Sequence, residues 1–85
     1  MTPFTIVWLP DAEDQLAALW LQARDRGDIS AAQSRIDAEL AFDPAKKGAP
    51  VAEGLRQVTV APLKAFYEVH ESESKVEVTA VTRVP

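Results

Sequence analysis

The 85-residue chain contains no cysteine and only one histidine, His70. The lack of cysteine excludes disulfides, thiolate metal ligands and a cysteine nucleophile. One histidine with scattered carboxylates does not predict a convergent set of ligands, so we expect no metal site and no cofactor. His70 itself closes a predicted strand beside a polar turn, where a solvent-exposed side chain is ordinary.

The chain also lacks long apolar runs. None approaches the roughly 18–20 residues that a transmembrane helix needs. The N-terminal MTPFTIVWLP has no basic region of the kind that opens a secretory signal. Hydrophobic residues make up 47% and charged residues 26%, which is typical of a folded soluble protein. We therefore expect a cytoplasmic protein without membrane association, forming a single domain over residues 1–85.

Positive charge is scarce in the first half of the chain. Residues 1–43 hold three basic and eight acidic side chains, whereas residues 44–85 hold six basic and five acidic ones, for a net charge of -4. Affinity for nucleic acid in general comes mainly from neutralising phosphates, so this acidic chain is a poor non-specific binder. A local cluster among the cations of the second half could still bind an anion, although the net charge of the chain opposes it at long range.

The first half of the chain predicts one strand followed by two helices. Phe4–Leu9 reads FTIVWL, a run of β-branched and aromatic residues that favours a strand. Apolar residues then recur at helical spacing as far as Gly27, which suits a C-cap. Ser30 and Gln33 match a capping box that opens a second helix, ended by Asp43 and the proline after it. The short connection predicts an antiparallel helical hairpin.

The second half predicts a loop over residues 44–54 and then three strands, Leu55–Ala61, Lys64–His70 and Lys75–Val84. Short turns make this meander antiparallel. Alternation along the last strand places Val76, Val78, Ala80 and Val84 on one face and Glu77, Thr79, Val81 and Arg83 on the other. The simplest compact arrangement is an α+β fold with both helices on one face of a four-stranded sheet. The opposite face is then free to carry function.

The order of these elements, with the segments WLPDAEDQLAALW, LAFDP and GLR…APLKAFYEV…VEVTAV, resembles the RelE/ParE family of small toxins from bacterial toxin–antitoxin modules. The resemblance covers essentially the whole chain. It implies a cytoplasmic prokaryotic protein that is neutralised by a cognate antitoxin. RelE-like members enter the ribosomal A site and cleave messenger RNA, whereas ParE-like members inhibit DNA gyrase. Beyond the antitoxin, the implied partners are therefore the ribosome and mRNA, or gyrase.

The resemblance also implies a set of catalytic cations. Arg56 stands at the family's Leu-Arg motif, Lys64 matches the basic residue that opens the strand after the turn, and Arg83 lies at or beside the basic position near the end of the last strand. Such cations stabilise the charge that develops on a phosphate during RNA cleavage. The tyrosine that often follows the last arginine is absent, and Gln57–Thr59 replaces a ladder of lysines. An inactive member that only binds its antitoxin is therefore an alternative to the ribonuclease.

Each candidate also has a purely structural interpretation. In that interpretation Arg56 is solvated or pairs with a helix carboxylate such as Asp37. Lys64 protects a strand edge, and Arg83 pairs with an acidic residue on a neighbouring strand. Tyr67 is predicted on the face opposite to Lys64. The side chains predicted to lie in the core are Tyr67, Trp8 and Trp20.

Overall fold

A computed structural model describes residues 2–85. Two helices and five strands follow one another in the chain, with short 3-10 turns at Pro44–Lys46 and Glu71–Glu73. The elements are β1 (Thr5–Trp8), α1 (Pro10–Gln22), α2 (Arg26–Leu40), β2 (Ala49–Ala52), β3 (Leu55–Val60), β4 (Leu63–His70) and β5 (Lys75–Arg83).

The strands form one mixed sheet in the order β1-β5-β4-β3-β2. β1 runs parallel to β5, and the other neighbouring pairs are antiparallel. The α+β class is confirmed, but the sheet has five strands rather than the predicted four. The additional strand is β2, which lies within the segment predicted as a loop and pairs with β3. Pro50 is tolerated in it because β2 is an edge strand.

The core lies between α2 and the helix-facing side of the sheet, to which alternate residues of β4 and β5 contribute. Burial along β4 alternates from Leu63 to Tyr67, with Leu63, Ala65 and Tyr67 fully buried. On β5, Val76 and Val78 are fully buried. α2 contributes a stripe of buried residues spaced three or four positions apart, as expected for the apolar face of a helix. The stripe consists of Ile29, Ala32, Ile36 and Leu40.

α1 covers the sheet incompletely. Ala12 is its only buried residue among those described, and Leu16 and Leu19 are half-buried against the core. Trp20 is 40% exposed, so the prediction that it lies in the core was wrong; its ring instead stacks under the guanidinium of Arg26, 4.6 Å from the ring centroid. The other indole, Trp8, is half-buried and donates its Nε1 hydrogen to Asp37 at 2.8 Å.

The boundary between the helices differs from the predicted one. α1 ends at Gln22 and α2 begins at Arg26, so Gly27 lies inside α2 and Ser30 is not its N-cap. Arg26 explains the early start, because its guanidinium donates to the carbonyl oxygens of Trp20 and Leu21, each at 2.9 Å. A side chain from the first turn of α2 therefore satisfies the free carbonyls that end α1.

A β-bulge changes which face the end of β5 presents. Phe66 pairs with Ala80, but the next residue, Tyr67, pairs with Val78, which leaves Thr79 without a partner. Beyond the bulge the alternation is inverted, so Val81 is 4% exposed and faces the helices. The prediction that Ala80 shares a face with Val78 was therefore wrong.

Candidate functional site

Arg56 lies on the helix side of the sheet. It pairs in register with buried Tyr67, and residues directly opposite each other on neighbouring strands share a face. Its Nε and Nη2 atoms donate to the carbonyl oxygen of Lys47 at 3.0 and 2.8 Å, and Nη2 lies 3.4 Å from the carbonyl oxygen of Gly48. The guanidinium thus ties the segment after α2 to the sheet, rather than pairing with Asp37.

Tyr67, on the neighbouring strand β4, contacts the same segment. The prediction that it is a core residue is confirmed. The side chain is fully buried, and its hydroxyl lies 2.9 Å from the carbonyl oxygen of Pro44 and 2.8 Å from that of Lys47. The single hydroxyl hydrogen of Tyr67 is shared between these two carbonyls, and the Lys47 carbonyl also accepts from Arg56. We call the residues from Pro44 to Gly48 the tethered segment.

Arg83 also lies on the helix side, at the end of β5. It pairs in register with the buried Leu63 and makes a two-pronged salt bridge to Asp25, with Nη1–Oδ1 2.9 Å and Nη2–Oδ2 2.7 Å. The hydrogen bond from Arg83 lowers the pKa of the Asp25 carboxyl, and the same bond raises the pKa of the guanidinium. Arg83 therefore joins the last strand to the connection between the helices, not to an acidic residue of a neighbouring strand.

Lys64 is the one predicted cation on the helix-free face. It lies between Thr59 of β3 and Thr82 of β5 and is half-buried. The ion pairs formed among residues 2–85 do not include it.

The three predicted cations are therefore not brought together. Arg56 and Arg83 lie on the opposite face from Lys64, and both make specific contacts within the fold. We predicted that Arg56 and Lys64 share a site on the helix-free face. They do not, because the β3–β4 register places the two side chains on opposite faces of the sheet.

Three titratable side chains do converge on the helix-free face, at the other end of the sheet. Glu68 and His70 lie two residues apart on β4 and so share a face, and Glu77 lies directly opposite Glu68 on β5. The His70 Nε2 atom is 2.7 Å from Glu77 Oε1 and 4.0 Å from Glu68 Oε1. The group could not be predicted from the sequence, because it depends on the β4–β5 register. The i, i+2 spacing of Glu68 and His70 was the available signal.

An apolar groove opens between β1, α1 and α2, with a volume of about 880 Å³. It includes two of the most exposed large hydrophobic side chains, Trp20 at 40% and Leu21 at 65%. The apolar residues that line it include Ile6, Trp8, Leu16, Trp20, Leu21 and Ile29. An exposed apolar surface of this kind marks a site of interaction with another molecule more often than a scattered single residue does. Within residues 2–85 no helix is long and apolar enough to span a membrane.

No protein-family model matches the chain, and no curated protein matches it in sequence. Solved structures do match. A chain of the RelBE2 toxin–antitoxin complex from Mycobacterium tuberculosis superimposes with a TM-score of 0.81 at 17% identity, over 98% of this chain and 93% of that one. A chain of the chromosomal ParDE system from P. aeruginosa matches with a TM-score of 0.68 at 17% identity, over 96% and 97% of the two chains. The isolated RelE toxin from E. coli matches with a TM-score of 0.61 at 8% identity, over 96% and 85%.

The protein therefore has the fold shared by the RelE and ParE toxins, and the resemblance read from its sequence is confirmed at the level of the fold. The likeness extends over almost the whole of each chain, including the initial strand, the helical hairpin and the antiparallel strands.

Proposed function

We propose that the protein is the toxin component of a toxin–antitoxin pair and works in the cytoplasm, where a cognate antitoxin holds it inactive. The observation that carries this proposal is the match to a chain of the RelBE2 toxin–antitoxin complex, with a TM-score of 0.81 over 98% of this chain. The matched ParDE and RelE structures are also toxin–antitoxin proteins.

The apolar groove is the surface we assign to the antitoxin. Trp20 and Leu21 project from α1 at its edge, and they would be covered by the apolar face of an amphipathic segment. The first half of the chain carries eight acidic side chains against three basic ones. Glu13 is the one charged side chain among the described residues that line the groove. A basic amphipathic segment therefore suits the apolar groove and the excess of negative charge in this half of the chain.

The geometry favours toxicity by binding over toxicity by RNA cleavage. Cleavage needs cations placed together around the reacting phosphate, since each contributes only if it lies close to the developing charge. Lys64 is the only one of the three predicted cations on the helix-free face, while Arg56 and Arg83 are engaged with main-chain carbonyls and Asp25. The catalytic role predicted for Arg56, Lys64 and Arg83 is the competing hypothesis.

Induced expression in a bacterial host, with and without the antitoxin frame encoded beside the gene, tests the proposal. We expect growth arrest that the antitoxin relieves, while primer extension shows intact transcripts. Inhibition of supercoiling by the purified protein would identify gyrase as the bound target. Transcripts cut at codon boundaries, with cutting lost in Lys64→Ala, would replace binding with ribosome-dependent cleavage. Normal growth combined with no antitoxin binding would overturn the toxin assignment itself.

A further inference from the structure

We propose that Glu68, His70 and Glu77 form a binding site for a divalent transition-metal ion such as zinc, on the helix-free face of the sheet. Their ligand atoms, one imidazole nitrogen and two carboxylate oxygens, all lie within 4.8 Å of one another. The proposal does not depend on the toxin assignment, because it follows from the side chains and their strands alone.

The backbone holds the three side chains in place. All three project from β4 and β5, two adjacent antiparallel strands, with His70 as the last residue of β4. The pairs Glu68–Glu77 and His70–Lys75 are both in register. Ligands on paired strands are positioned more accurately than ligands on loops. The residues lie before the bulge at Thr79, so the ladder around them is uninterrupted.

The distances suit a metal ion after a small adjustment. Zinc binds nitrogen and carboxylate oxygen at about 2.0–2.2 Å, which separates tetrahedral ligand atoms by about 3.3 Å. His70 Nε2 lies 2.7 Å from Glu77 Oε1 and 4.0 Å from Glu68 Oε1, so the first separation must widen and the second must close by roughly 0.6 Å. Rotation of the half-exposed glutamates supplies this movement. A metal at Nε2 requires that nitrogen to carry no proton, so the neutral ring would keep its single proton on Nδ1.

The local electrostatics favour a cation. Glu68 and Glu77 are directly opposite each other, and like charges at opposed positions of a sheet destabilise it. Lys75 offsets this in part, with its Nζ 3.7 Å from Glu77 Oε2 and 3.3 Å from Glu73 Oε2. Lys75 contacts the second carboxylate oxygen of Glu77, so Oε1 remains available to a metal.

The donor set selects the kind of ion. One imidazole with two carboxylates suits zinc and its first-row neighbours, whereas calcium and magnesium prefer six or more oxygen ligands. The three side chains are exposed by 46%, 35% and 25% for Glu68, His70 and Glu77. A bound ion would therefore keep a coordination position open to water or to a further ligand.

Isothermal titration of the full, untagged chain with zinc chloride tests the site. We expect one zinc ion per chain, an affinity at least about tenfold weaker in His70→Ala and in Glu77→Gln, and no measurable binding of magnesium chloride. Glu71→Gln is the matched control, because it removes an exposed carboxylate from the neighbouring turn and should bind zinc as the unaltered chain does.

Thermal melts without metal establish that each variant is folded. If His70→Ala melts early, Glu68→Gln replaces it, since that variant keeps the His70–Glu77 hydrogen bond and should still lose at least about tenfold in affinity. The proposal is overturned if the unaltered chain binds no zinc, or if the folded ligand variants bind zinc as tightly as the Glu71→Gln control. Equal affinity for magnesium would overturn the assignment to a transition metal.

Discussion

Gly48 lies at the end of the tethered segment, packed closely against β3. Its φ is +59°, and a Cβ atom at this position would lie 1.9 Å from the carbonyl oxygen of Gln57. Such a contact requires the backbone of either β3 or the tethered segment to move. The position therefore demands glycine for two separate reasons, its backbone conformation and the space available.

We expect Gly48→Ala to destabilise the fold by more than about 2 kcal/mol, because strain at a special backbone conformation and a steric clash act together. Gly54→Ala is the matched control. Its φ is +76°, but nothing lies within 4 Å of the added Cβ, so only the backbone cost of about 1–2 kcal/mol applies. Urea denaturation of the two variants measures both. Equal losses would contradict the steric contribution at Gly48.

Tyr67→Phe tests the polar half of the same contact. The change keeps the buried ring and removes the hydroxyl that lies within hydrogen-bond distance of Pro44 and Lys47. Both carbonyls keep another donor, Arg56 for Lys47 and the Lys47 amide, at 3.2 Å, for Pro44. We expect a loss of about 0.5–1.5 kcal/mol in the free energy of unfolding, together with faster amide exchange at Lys47. Unchanged exchange would mean that Arg56 alone holds the tethered segment.

At the same scale, the sequence predicted burial better than it predicted contacts. The burial of Tyr67 followed from alternation along one strand, which is a local property. The partners of Arg56 did not follow, because they are main-chain carbonyls whose position depends on how the chain leaves α2. No side-chain pattern records where a carbonyl group points.

At the scale of elements, the start of α2 offers a test with an unambiguous sign. Gly27 has no atom within 4 Å of an added Cβ and lies in the first turn of the helix. We expect Gly27→Ala to raise stability by roughly 0.4–1 kcal/mol, since alanine loses less conformational entropy on folding. A C-cap in the left-handed region, as the sequence analysis predicted for this glycine, would make the same change destabilising. Thermal denaturation distinguishes the two outcomes.

Asp25→Asn tests the contact between β5 and the helical connection. A carboxyl whose folded-state pKa is lowered contributes stability above its unfolded pKa, and the contribution is lost as the pH falls through the folded-state value. Because Arg83 lowers the pKa of Asp25 below 3.8, the variant should melt a few degrees lower than the unaltered chain at pH 7. The two should converge only as the pH falls below the lowered pKa of Asp25 in the folded state.

Glu53→Gln controls for the loss of one negative charge in that comparison, because Glu53 is exposed in the turn between β2 and β3. It should melt like the unaltered chain throughout the pH range. A difference between Asp25→Asn and the unaltered chain that persists at low pH would show that Asp25 acts through something other than its charge.

The elements themselves were largely predictable, since hydrophobic period and turn residues are local signals. Their irregularities were not. β2 contains a proline, so its sequence resembles a loop, and only pairing with β3 makes it a strand. The bulge at Thr79 arises from the fit between β4 and β5, and it alone turns Val81 and Arg83 toward the helices. Strict alternation therefore placed Arg83 on the wrong face relative to Val78.

At the scale of the whole molecule, the apolar groove is where we expect the antitoxin. Leu21→Glu places a charge on its most exposed apolar side chain and should weaken antitoxin binding at least about tenfold, or about 1.4 kcal/mol. Ala18→Glu adds the same charge to α1 at an exposed position outside the groove lining, and should leave binding unchanged. Surface plasmon resonance with the antitoxin measures both. Equal affinity for the two variants would exclude the groove as the binding surface.

The placement of the candidate site residues relative to one another could not be predicted from the sequence, because it depends on the arrangement of the whole sheet. The family resemblance identified three cations by their position along the chain. Whether they face one another depends on strand register and on the bulge, and neither is a property of any single segment. The same register brings together Glu68, His70 and Glu77, which lie on two different strands and form no motif.

The parallel pairing of β1 with β5 has a consequence for synthesis. Thr5 and Lys75 stand side by side in the sheet, and within residues 2–85 β5 is the only strand with which β1 pairs. During translation, β1 therefore waits without a partner until nearly all the remaining chain has been made. Pairing between such distant segments is slow to form, so the groove that β1 borders reaches its final shape only after the last strand has been made. We therefore expect any partner that binds this groove to recognise the finished chain and not a shorter nascent one.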